Sequence, residues 1–203
     1  MAKLFGTDGA RGVANTELTC DIAFKLGQAA VEFLGKTIVV GKDTRLSGDM
    51  LECALNAGIM SRGGTVLAAG IIPTPGVAFL TRELYADGGV VISASHNPPE
   101  YNGIKFFDGQ GFKLPDEVEA SLETFVEAGG TPIDQLPAGD EVGVIVPVEN
   151  ACELYINHAV SLVRDEGLSF EGLKVALDTG HGAASLTTCL LYTSPSPRDR
   201  SVS

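Results

Sequence analysis

The hydrophobic residues of the chain form short β-branched runs that alternate with longer segments of helical spacing. The short runs predict buried strands, because β-branched side chains pack well on a pleated sheet; they occupy residues 37–40, 65–69 and 90–92. The longer segments predict amphipathic helices at residues 19–34, 49–62 and 116–128. This alternation of strand and helix predicts an α/β domain of three layers with a mixed β-sheet.

Local signals refine the ends of these elements. Thr19 is a suitable N-cap for the first helix, and Thr74 and Pro75 predict the N-cap and first-turn proline of another. Residues 104–107 and 112–114, joined by a turn at 108–111, predict an antiparallel hairpin. The glutamates of the 116–128 segment lie opposite its apolar face, and we interpret them as a solvated acidic stripe.

A change of composition near residue 150 predicts a domain boundary. Residues 129–147 are rich in Gly and Pro and lack a helical period. Asn150 and Glu153 then resemble a capping pair that opens a helix, residues 173–177 predict a strand, and 178–185 predict a strand-to-helix loop. We therefore divide the chain into a first domain (1–149), the truncated start of a second, similar α/β domain (150–188) and a Ser/Pro/Arg-rich tail (189–203), which we expect to be disordered or artefactual.

Charge and composition restrict the partners of the protein. The formal net charge of −12 over 203 residues argues against binding to nucleic acid or to an anionic membrane surface. No apolar stretch has the length of a membrane span and the N-terminus lacks a signal peptide's apolar core, so we expect a cytoplasmic protein. The 4 cysteines are widely spaced without a C-x-x-C pair, which predicts reduced thiols. No feature of the sequence indicates an oligomeric state.

The polar stretch SHNPPEYNG, which follows the third short run, carries the candidate chemistry. Ser95 leaves the end of a predicted strand, where the backbone is fixed and the side chain is accessible. Pro98 disfavours helix at Asn97, so the loop stays open. A serine that only forms a turn is the ordinary alternative. A serine hydrolase would need glycine in place of Ser93 and Asn97, and an extended chain would point His96 away from Ser95.

Four basic residues lie beside polar loops and together could bind an anion. Arg11 stands between two glycines in FGTDGARG, where backbone amides and a guanidinium could hold a phosphate. Lys42 and Arg45 lie in GKDTRLSG before a predicted helix, with a local ion pair between Asp43 and Arg45 as the alternative. Lys105 begins the strand after the SHNPP loop, and a solvated edge lysine is the alternative there. Their gathering at one place is a hypothesis about the fold.

The stretch ASHNPPEYNGIKFF resembles the phosphoserine loop of the α-D-phosphohexomutases, and its GIKFF ending is most similar to members that act on hexosamine phosphates. FGTDGARG and GKDTRLSG resemble two further loops of that family, and the resemblance covers residues 1–185. It implies a serine that lends a phosphoryl group to one hydroxyl of a hexosamine phosphate and takes one back from another. Glucose or mannose phosphates as substrates, and a non-catalytic phosphate-binding fragment, are the alternatives.

The resemblance also implies roles for individual residues. Ser95, Lys105 and Arg11 would be catalytic, with Ser95 as the phosphoryl carrier and Lys105 as an acid or base. Phosphate binding would fall to Arg11, His96, Asn97 and Arg45. One Mg²⁺ per active site would contact Ser95 through its phosphate. The family's D-x-D-x-D metal loop and its sugar-selecting domains are absent from this sequence, so we expect the chain alone to be inactive.

Overall fold

A computed structural model of the protein describes residues 4–6, 9–165, 167 and 171–193. Its strands are β1 (Phe5–Gly6), β2 (Gly9–Val13), β3 (Thr37–Lys42), β4 (Thr65–Ile71), β5 (Gly88–Ile92), β6 (Tyr101–Asp108) and β7 (Ile145–Pro147). They form one sheet in the order β1-β2-β6-β5-β3-β4-β7. The pairs among β5, β3, β4 and β7 are parallel, whereas β1–β2, β2–β6 and β6–β5 are antiparallel. The predicted mixed α/β sheet is confirmed.

Helices cover both faces of this sheet. They are α1 (Cys20–Phe33), α2 (Gly48–Ser61), α3 (Thr74–Glu83), α4 (Asp116–Glu127), α5 (Ala151–Asp165) and α6 (Ala184–Thr193). Because side chains alternate along a strand, neighbouring residues enter different cores. Val90 packs with α1, α2 and α4, whereas Val91 packs with α3 and α5. The domain therefore has the three layers that the sequence predicts.

Helices α1 and α2 approach each other so closely that their backbones touch. A Cβ atom on Gly27 of α1 would overlap the carbonyl oxygen of Leu55, and one on Gly58 of α2 would overlap that of Phe24. The two glycines thus remove the side chains that would separate the helices. This contact fixes α2, and with it the 42–48 loop that precedes the helix.

Several local predictions are wrong. Thr74, predicted as an N-cap, is the first residue of α3, and Pro73 occupies the cap position without a side-chain hydrogen bond. The 104–107 and 112–114 hairpin is reduced to an isolated bridge between Phe107 and Lys113, because β6 pairs instead with β5 and β2. Residues 9–13, predicted as a loop, form β2, whose partner β6 is distant in sequence. Glu119 of α4 is not solvated: it is 5% exposed and accepts a hydrogen bond from Lys113 Nζ at 3.1 Å.

The segment after residue 150 packs on the first part of the chain. The ring of Phe79 in α3 stacks on His158 of α5 at 4.3 Å and lies 6.2 Å from the ring of Tyr155. Residues 173–177, predicted as a strand, belong to no described strand. Helix α6 reaches Thr193 inside the predicted tail, and 194–203 lie outside the described residues. The boundary at residue 150 stays a prediction. No described helix has the length and apolarity that crossing a membrane requires.

Candidate active site

The SHNPP loop connects β5 to β6, which are antiparallel neighbours, so the sheet fixes both of its ends. The amide of Ser93 donates to the Gly103 carbonyl at 2.8 Å and extends the ladder one residue beyond β5. Ser93 and Ala94 are buried, whereas Ser95 is exposed. A rigid exit followed by an accessible hydroxyl is the arrangement that the sequence predicts for Ser95.

The backbone of Ser95 adopts a left-handed conformation, with φ at 55°. For a residue with a Cβ atom this conformation costs about 1–2 kcal/mol, so the surroundings must hold it. The same turn brings His96 Nδ1 to 3.5 Å from Ser95 Oγ. The expectation that an extended chain points the two side chains apart is therefore wrong, because the chain is not extended at Ser95.

Arg45 binds the loop backbone with its whole guanidinium group. Nη1 donates to the carbonyl oxygens of Pro98 and Tyr101 at 2.7 and 2.8 Å, and Nη2 to those of Ser95 and Asn97 at 2.9 and 2.8 Å. Nε donates to Asp43 at 3.1 Å, the local ion pair that the sequence offered as an alternative. Because all five N–H donors are used, we interpret Arg45 as a residue that holds the loop rather than as the phosphate ligand suggested by the sequence.

Arg11 reaches the same loop from the opposite side. It lies on β2 directly across from Gly103 of β6. A Cβ atom at Gly103 would lie 3.1 Å from Arg11 Cγ and 2.7 Å from the Ser93 carbonyl oxygen, so the glycine leaves room for the arginine stem to cross β6. Arg11 Nη1 then donates to Asn97 Oδ1 at 3.3 Å. The fold thus brings together Arg11, Asn97 and the Ser95 loop.

Lys105 lies on β6 in register with Val91, within the sheet rather than on the loop. It lies two residues after Gly103, so its side chain leaves the same face of the sheet as that of Arg11. It lines a cavity of about 70 Å³ together with Gly9 and Glu119. Its role as an acid or base stays a prediction.

Lys42 is engaged away from the loop. Its Nζ pairs with Asp49 at 2.6 Å and with Glu52, both on α2. Burial by itself would lower the pKa of Lys42, but the hydrogen bonds and charges of the two carboxylates outweigh burial and raise that pKa. Of the four cations in the hypothesis, Arg11 and Arg45 therefore contact the loop and Lys42 pairs with α2 instead. A place for Lys105 beside the serine stays a prediction.

Two contacts that sequence reasoning missed tie the neighbouring loops together. Asn102 is fully buried; its Nδ2 donates to Ser47 Oγ at 2.9 Å, and its Oδ1 accepts the Gly103 amide at 2.8 Å. Thr44 Oγ1 donates to the His181 carbonyl oxygen at 2.8 Å, which joins the 42–48 loop to the loop before α6. For the first contact, the asparagine of NGIKFF was the available sequence signal, but its partner Ser47 is distant in sequence.

The donor set for a resident metal ion is missing from the part of the chain that the structure describes. No group of three His, Cys, Asp or Glu side chains there could hold one. Near the loop, the Asp43 carboxylate already accepts hydrogen bonds from Arg45 and Ser93. The residues present do not fit a magnesium ion without further ligands.

Comparison with known proteins identifies the family. The family described as "Phosphoglucomutase/phosphomannomutase, alpha/beta/alpha domain I" matches residues 2–132. The phosphoglucosamine mutase of Carboxydothermus hydrogenoformans is 54% identical over 197 residues, which are 95% of this chain and 44% of that protein. That of Clostridioides difficile is 53% identical over 189 residues, covering 91% of this chain and 41% of that protein.

A solved structure gives the same result. A phosphoglucomutase/phosphomannomutase family protein from Burkholderia thailandensis superposes with a TM-score of 0.73 at 25% identity, covering 95% of this chain and 42% of that one. The chain thus spans less than half the length of these relatives. Given the sequence match, the shared fold and the position of the serine loop, the chain belongs to the phosphoglucomutase/phosphomannomutase family of α-D-phosphohexomutases.

Proposed function

We propose that the chain is the phosphoserine-carrying part of a phosphoglucosamine mutase. Such an enzyme, an intramolecular phosphotransferase of the isomerase class, interconverts glucosamine 6-phosphate and glucosamine 1-phosphate through a 1,6-bisphosphate. The product would enter the synthesis of UDP-N-acetylglucosamine and cell-wall precursors. The names of the relatives support the choice of sugar. The observation that carries the proposal is an exposed Ser95 on a loop that Arg11 and Arg45 contact from two sides.

In the proposed reaction, phosphorylated Ser95 gives its phosphoryl group to one sugar hydroxyl. The bond between phosphorus and Oγ breaks, a bond to the sugar oxygen forms, the hydroxyl's proton passes to a base, and Oγ receives a proton. The second half runs in reverse at the other phosphate of the bisphosphate. Since the transfer needs positioning and charge neutralisation above all, the task of the protein is to fix Oγ and surround the phosphate with donors.

The residues around Ser95 divide this task. A phosphoserine carries about −1.5 to −2 charges at neutral pH. Arg11, whose Nη1 already reaches the loop, would neutralise part of this charge. His96 and Asn97 would donate to phosphate oxygens, and Lys105 would act as an acid or base. Arg45 would act indirectly, by holding the loop carbonyls.

The remaining parts of the site would come from outside this chain. We propose one Mg²⁺ per active site, which would lower the charge on the phosphoserine, with its carboxylate ligands supplied by residues beyond these 203. We also propose that the chain is divided into 1–149, 150–188 and 189–203 and that the protein is cytoplasmic. Its partner in this proposal is a hexosamine phosphate rather than nucleic acid or a membrane.

Mass spectrometry tests the proposal directly. A full-length protein that contains the chain is incubated with glucosamine 1,6-bisphosphate and mapped by peptide. We expect one added phosphoryl group on Ser95 and none in a Ser95→Ala variant. Phosphate on another residue, or none on the full-length protein, would contradict the proposal. A non-catalytic phosphate-binding fragment would bind the sugar phosphate without any gain of mass.

A phosphoglucomutase or phosphomannomutase is the second candidate, because the matching family is named after both activities. The serine chemistry is the same in all three enzymes, so the loop does not distinguish them. The three enzymes are distinguished by the kcat/KM values of the full-length protein for glucosamine, glucose and mannose 6-phosphates. A preference for glucosamine phosphate supports the first candidate, and a preference for glucose or mannose phosphate supports the second candidate instead.

A further inference from the structure

One carboxylate, that of Asp43, is connected to the backbone of Ser95 on both sides. On the amide side, Ser95 N donates to Ser93 Oγ at 3.1 Å, and Ser93 Oγ donates to Asp43 Oδ2 at 2.7 Å. On the carbonyl side, Arg45 Nη2 donates to the Ser95 oxygen at 2.9 Å, and Arg45 Nε donates to the same Asp43 Oδ2 at 3.1 Å. The Ser95 hydroxyl itself is outside this network.

The network is rooted in the sheet and largely shielded from water. The amide of Asp43 donates to the Ile92 carbonyl at 3.0 Å, directly after β3 and β5 end, and Asp43 Oδ1 accepts the Arg45 amide at 3.0 Å. The Asp43 and Arg45 side chains are 12% and 11% exposed, and Ser93 is 7% exposed. Hydrogen bonds to charged groups in such shielded positions are stronger than neutral ones, and breaking one leaves a costly unpaired group.

These contacts explain how Ser95 keeps a conformation that a serine ordinarily avoids. A residue with a Cβ atom keeps a left-handed conformation only where the surrounding structure holds it there. Here the amide preceding the Cα atom and the carbonyl following it are each held by a partner of Asp43. If either partner is lost, rotation of φ and ψ swings Oγ away from its present direction.

We propose that Asp43, acting through Ser93 and Arg45, is a positioning residue that aims Ser95 Oγ for phosphoryl transfer. The inference rests on the proposed function, since it concerns the same serine. Asp43 and Ser93 would have no contact with the sugar phosphate. Their loss should therefore slow the transfer step without weakening substrate binding.

The test uses Ser93→Ala and Ser93→Thr in the full-length protein. Alanine removes the link between Asp43 and the Ser95 amide, whereas threonine keeps a hydroxyl. A misplacement of about 1 Å at a reacting atom can cost on the order of 10²-fold in rate. We expect Ser93→Ala to lower kcat by about 10- to 100-fold with KM changed less than about two-fold, and Ser93→Thr to restore most of kcat. Asp43→Asn should resemble Ser93→Ala.

A second measurement examines the restraint independently of turnover. Hydrogen exchange of the peptide covering 93–101 should become faster in Ser93→Ala, and by a larger factor than the exchange of peptides covering α1 and α2, so that loosening of the loop is distinguished from a general loss of stability. Ser61→Ala is the matched control, because Ser61 Oγ donates to a carbonyl, that of Gly58, at the far end of α2. That variant should leave both kcat and the exchange of 93–101 unchanged.

The outcomes separate this inference from the proposed function. If the parent phosphorylates Ser95 and Ser93→Ala keeps its kcat, the inference is overturned and the function stands. If Ser93→Thr is as slow as Ser93→Ala, or if KM rises in proportion to the loss of rate, the hydrogen bond is not a positioning device. If the parent never phosphorylates Ser95, the function and this inference both fail, and the exchange data report only on the loop.

Discussion

Gly103 is the residue over which the Arg11 side chain reaches the Ser95 loop. It lies on β6 opposite Arg11, and a Cβ atom there would meet the Ser93 carbonyl oxygen at 2.7 Å and Arg11 Cγ at 3.1 Å. The first contact is with backbone of the adjacent strand, which has little freedom to move. The lack of a side chain at Gly103 is therefore necessary for Arg11 to reach the site along its present path.

Gly103→Ala should damage both the site and the fold. We expect the Arg11 stem to be displaced from its path across β6, so that phosphorylation of Ser95 slows at least about 10-fold, as for a misplaced catalytic group. Overpacking should lower the free energy of unfolding by about 1–3 kcal/mol. Rapid-quench phosphorylation and urea unfolding measure the two effects. Gly48→Ala is the stability control, since its Cβ would meet nothing closer than 3.5 Å; an unaffected Gly103→Ala rate would contradict the assigned path.

Lys42 should contribute to a pH dependence of stability in the alkaline range. Its pKa is raised in the folded state above the ordinary value of 10.5, because hydrogen bonds to Asp49 and Glu52 outweigh burial. The contribution is thus complete below about pH 10.5 and is lost as the pH rises through the folded pKa. In urea unfolding from about pH 9 to about pH 11.5, Lys42→Met should lose less stability than the parent, by up to about 1 kcal/mol.

The matched control for that titration is Lys36→Met, which removes an exposed lysine. It should keep the alkaline loss of the parent. Equal slopes for Lys42→Met and the parent would show that the pair with Asp49 and Glu52 adds nothing to folding.

At the scale of the elements, the contact between α1 and α2 sets the position of the 42–48 loop. Gly27 and Gly58 let the two backbones touch, and α2 begins at Gly48, directly after the loop that carries Asp43 and Arg45. Lys42 adds ion pairs to the first turns of the same helix. The loop is therefore held between β3 and a helix that is itself packed tightly.

Gly58→Ala tests this helix contact because two effects oppose each other. Alanine has the higher helix propensity, by about 1 kcal/mol, which favours the variant. Its Cβ atom would overlap the Phe24 carbonyl oxygen, which forces the helices apart. We expect the overlap to win and the free energy of unfolding to fall by about 1–3 kcal/mol in a denaturant titration. Gly48→Ala in the same helix, where a Cβ atom would meet nothing closer than 3.5 Å, should be at least as stable as the parent. A more stable Gly58→Ala would contradict the close approach.

At the scale of the whole molecule, α5 packs the segment that follows residue 150 against α3, on one face of the sheet. Ala151 and Ile156 are buried, and the rings of Tyr155 and His158 lie against Phe79 of α3. The predicted boundary at residue 150 marks where the chain leaves the sheet after β7. The helix beyond it nevertheless packs back onto that sheet's outer layer.

Truncation should show which unit α5 stabilises. A chain ending after Glu149 loses the rings that cover Phe79 and should unfold several degrees below the parent, in line with about 2–4 °C per kcal/mol for a domain of this size. A chain ending after Gly167 keeps them and should unfold near the parent temperature. Thermal unfolding followed by circular dichroism compares the three. Equal midpoints for the two shortened chains would mean that α5 adds nothing to the first domain.

The 203-residue chain by itself should not turn over glucosamine phosphate. It spans 44% of the length of its relative from Carboxydothermus hydrogenoformans, and its described residues offer no donor set for a metal ion. We expect a coupled assay of glucosamine 1-phosphate formation to give the same rate for the chain and for Ser95→Ala. A full-length protein containing the chain should exceed that rate, and turnover by the short chain would refute the expectation.

The main elements and the reactive loop could be predicted from the sequence, because they depend on neighbours along the chain. β-branched runs and helical spacing located α1, α2, α4 and the central strands within a few residues. Thr19 caps α1 as predicted, its Oγ1 accepting the Ile22 amide at 3.3 Å. The motif around Ser95 correctly placed the serine on an accessible loop after a buried strand.

Only the tertiary structure decided which residues far apart in sequence contact each other. The pairing of β2 with β6, the path of Arg11 over Gly103, and the burial of Glu119 all join such segments, whose meeting no local pattern encodes. The same holds for Arg45, whose guanidinium group donates to the carbonyl oxygens of Asn97 and Tyr101, more than fifty residues away. The sequence by itself determined which residue types are available for the chemistry; the pairing of distant strands determined what each of them touches.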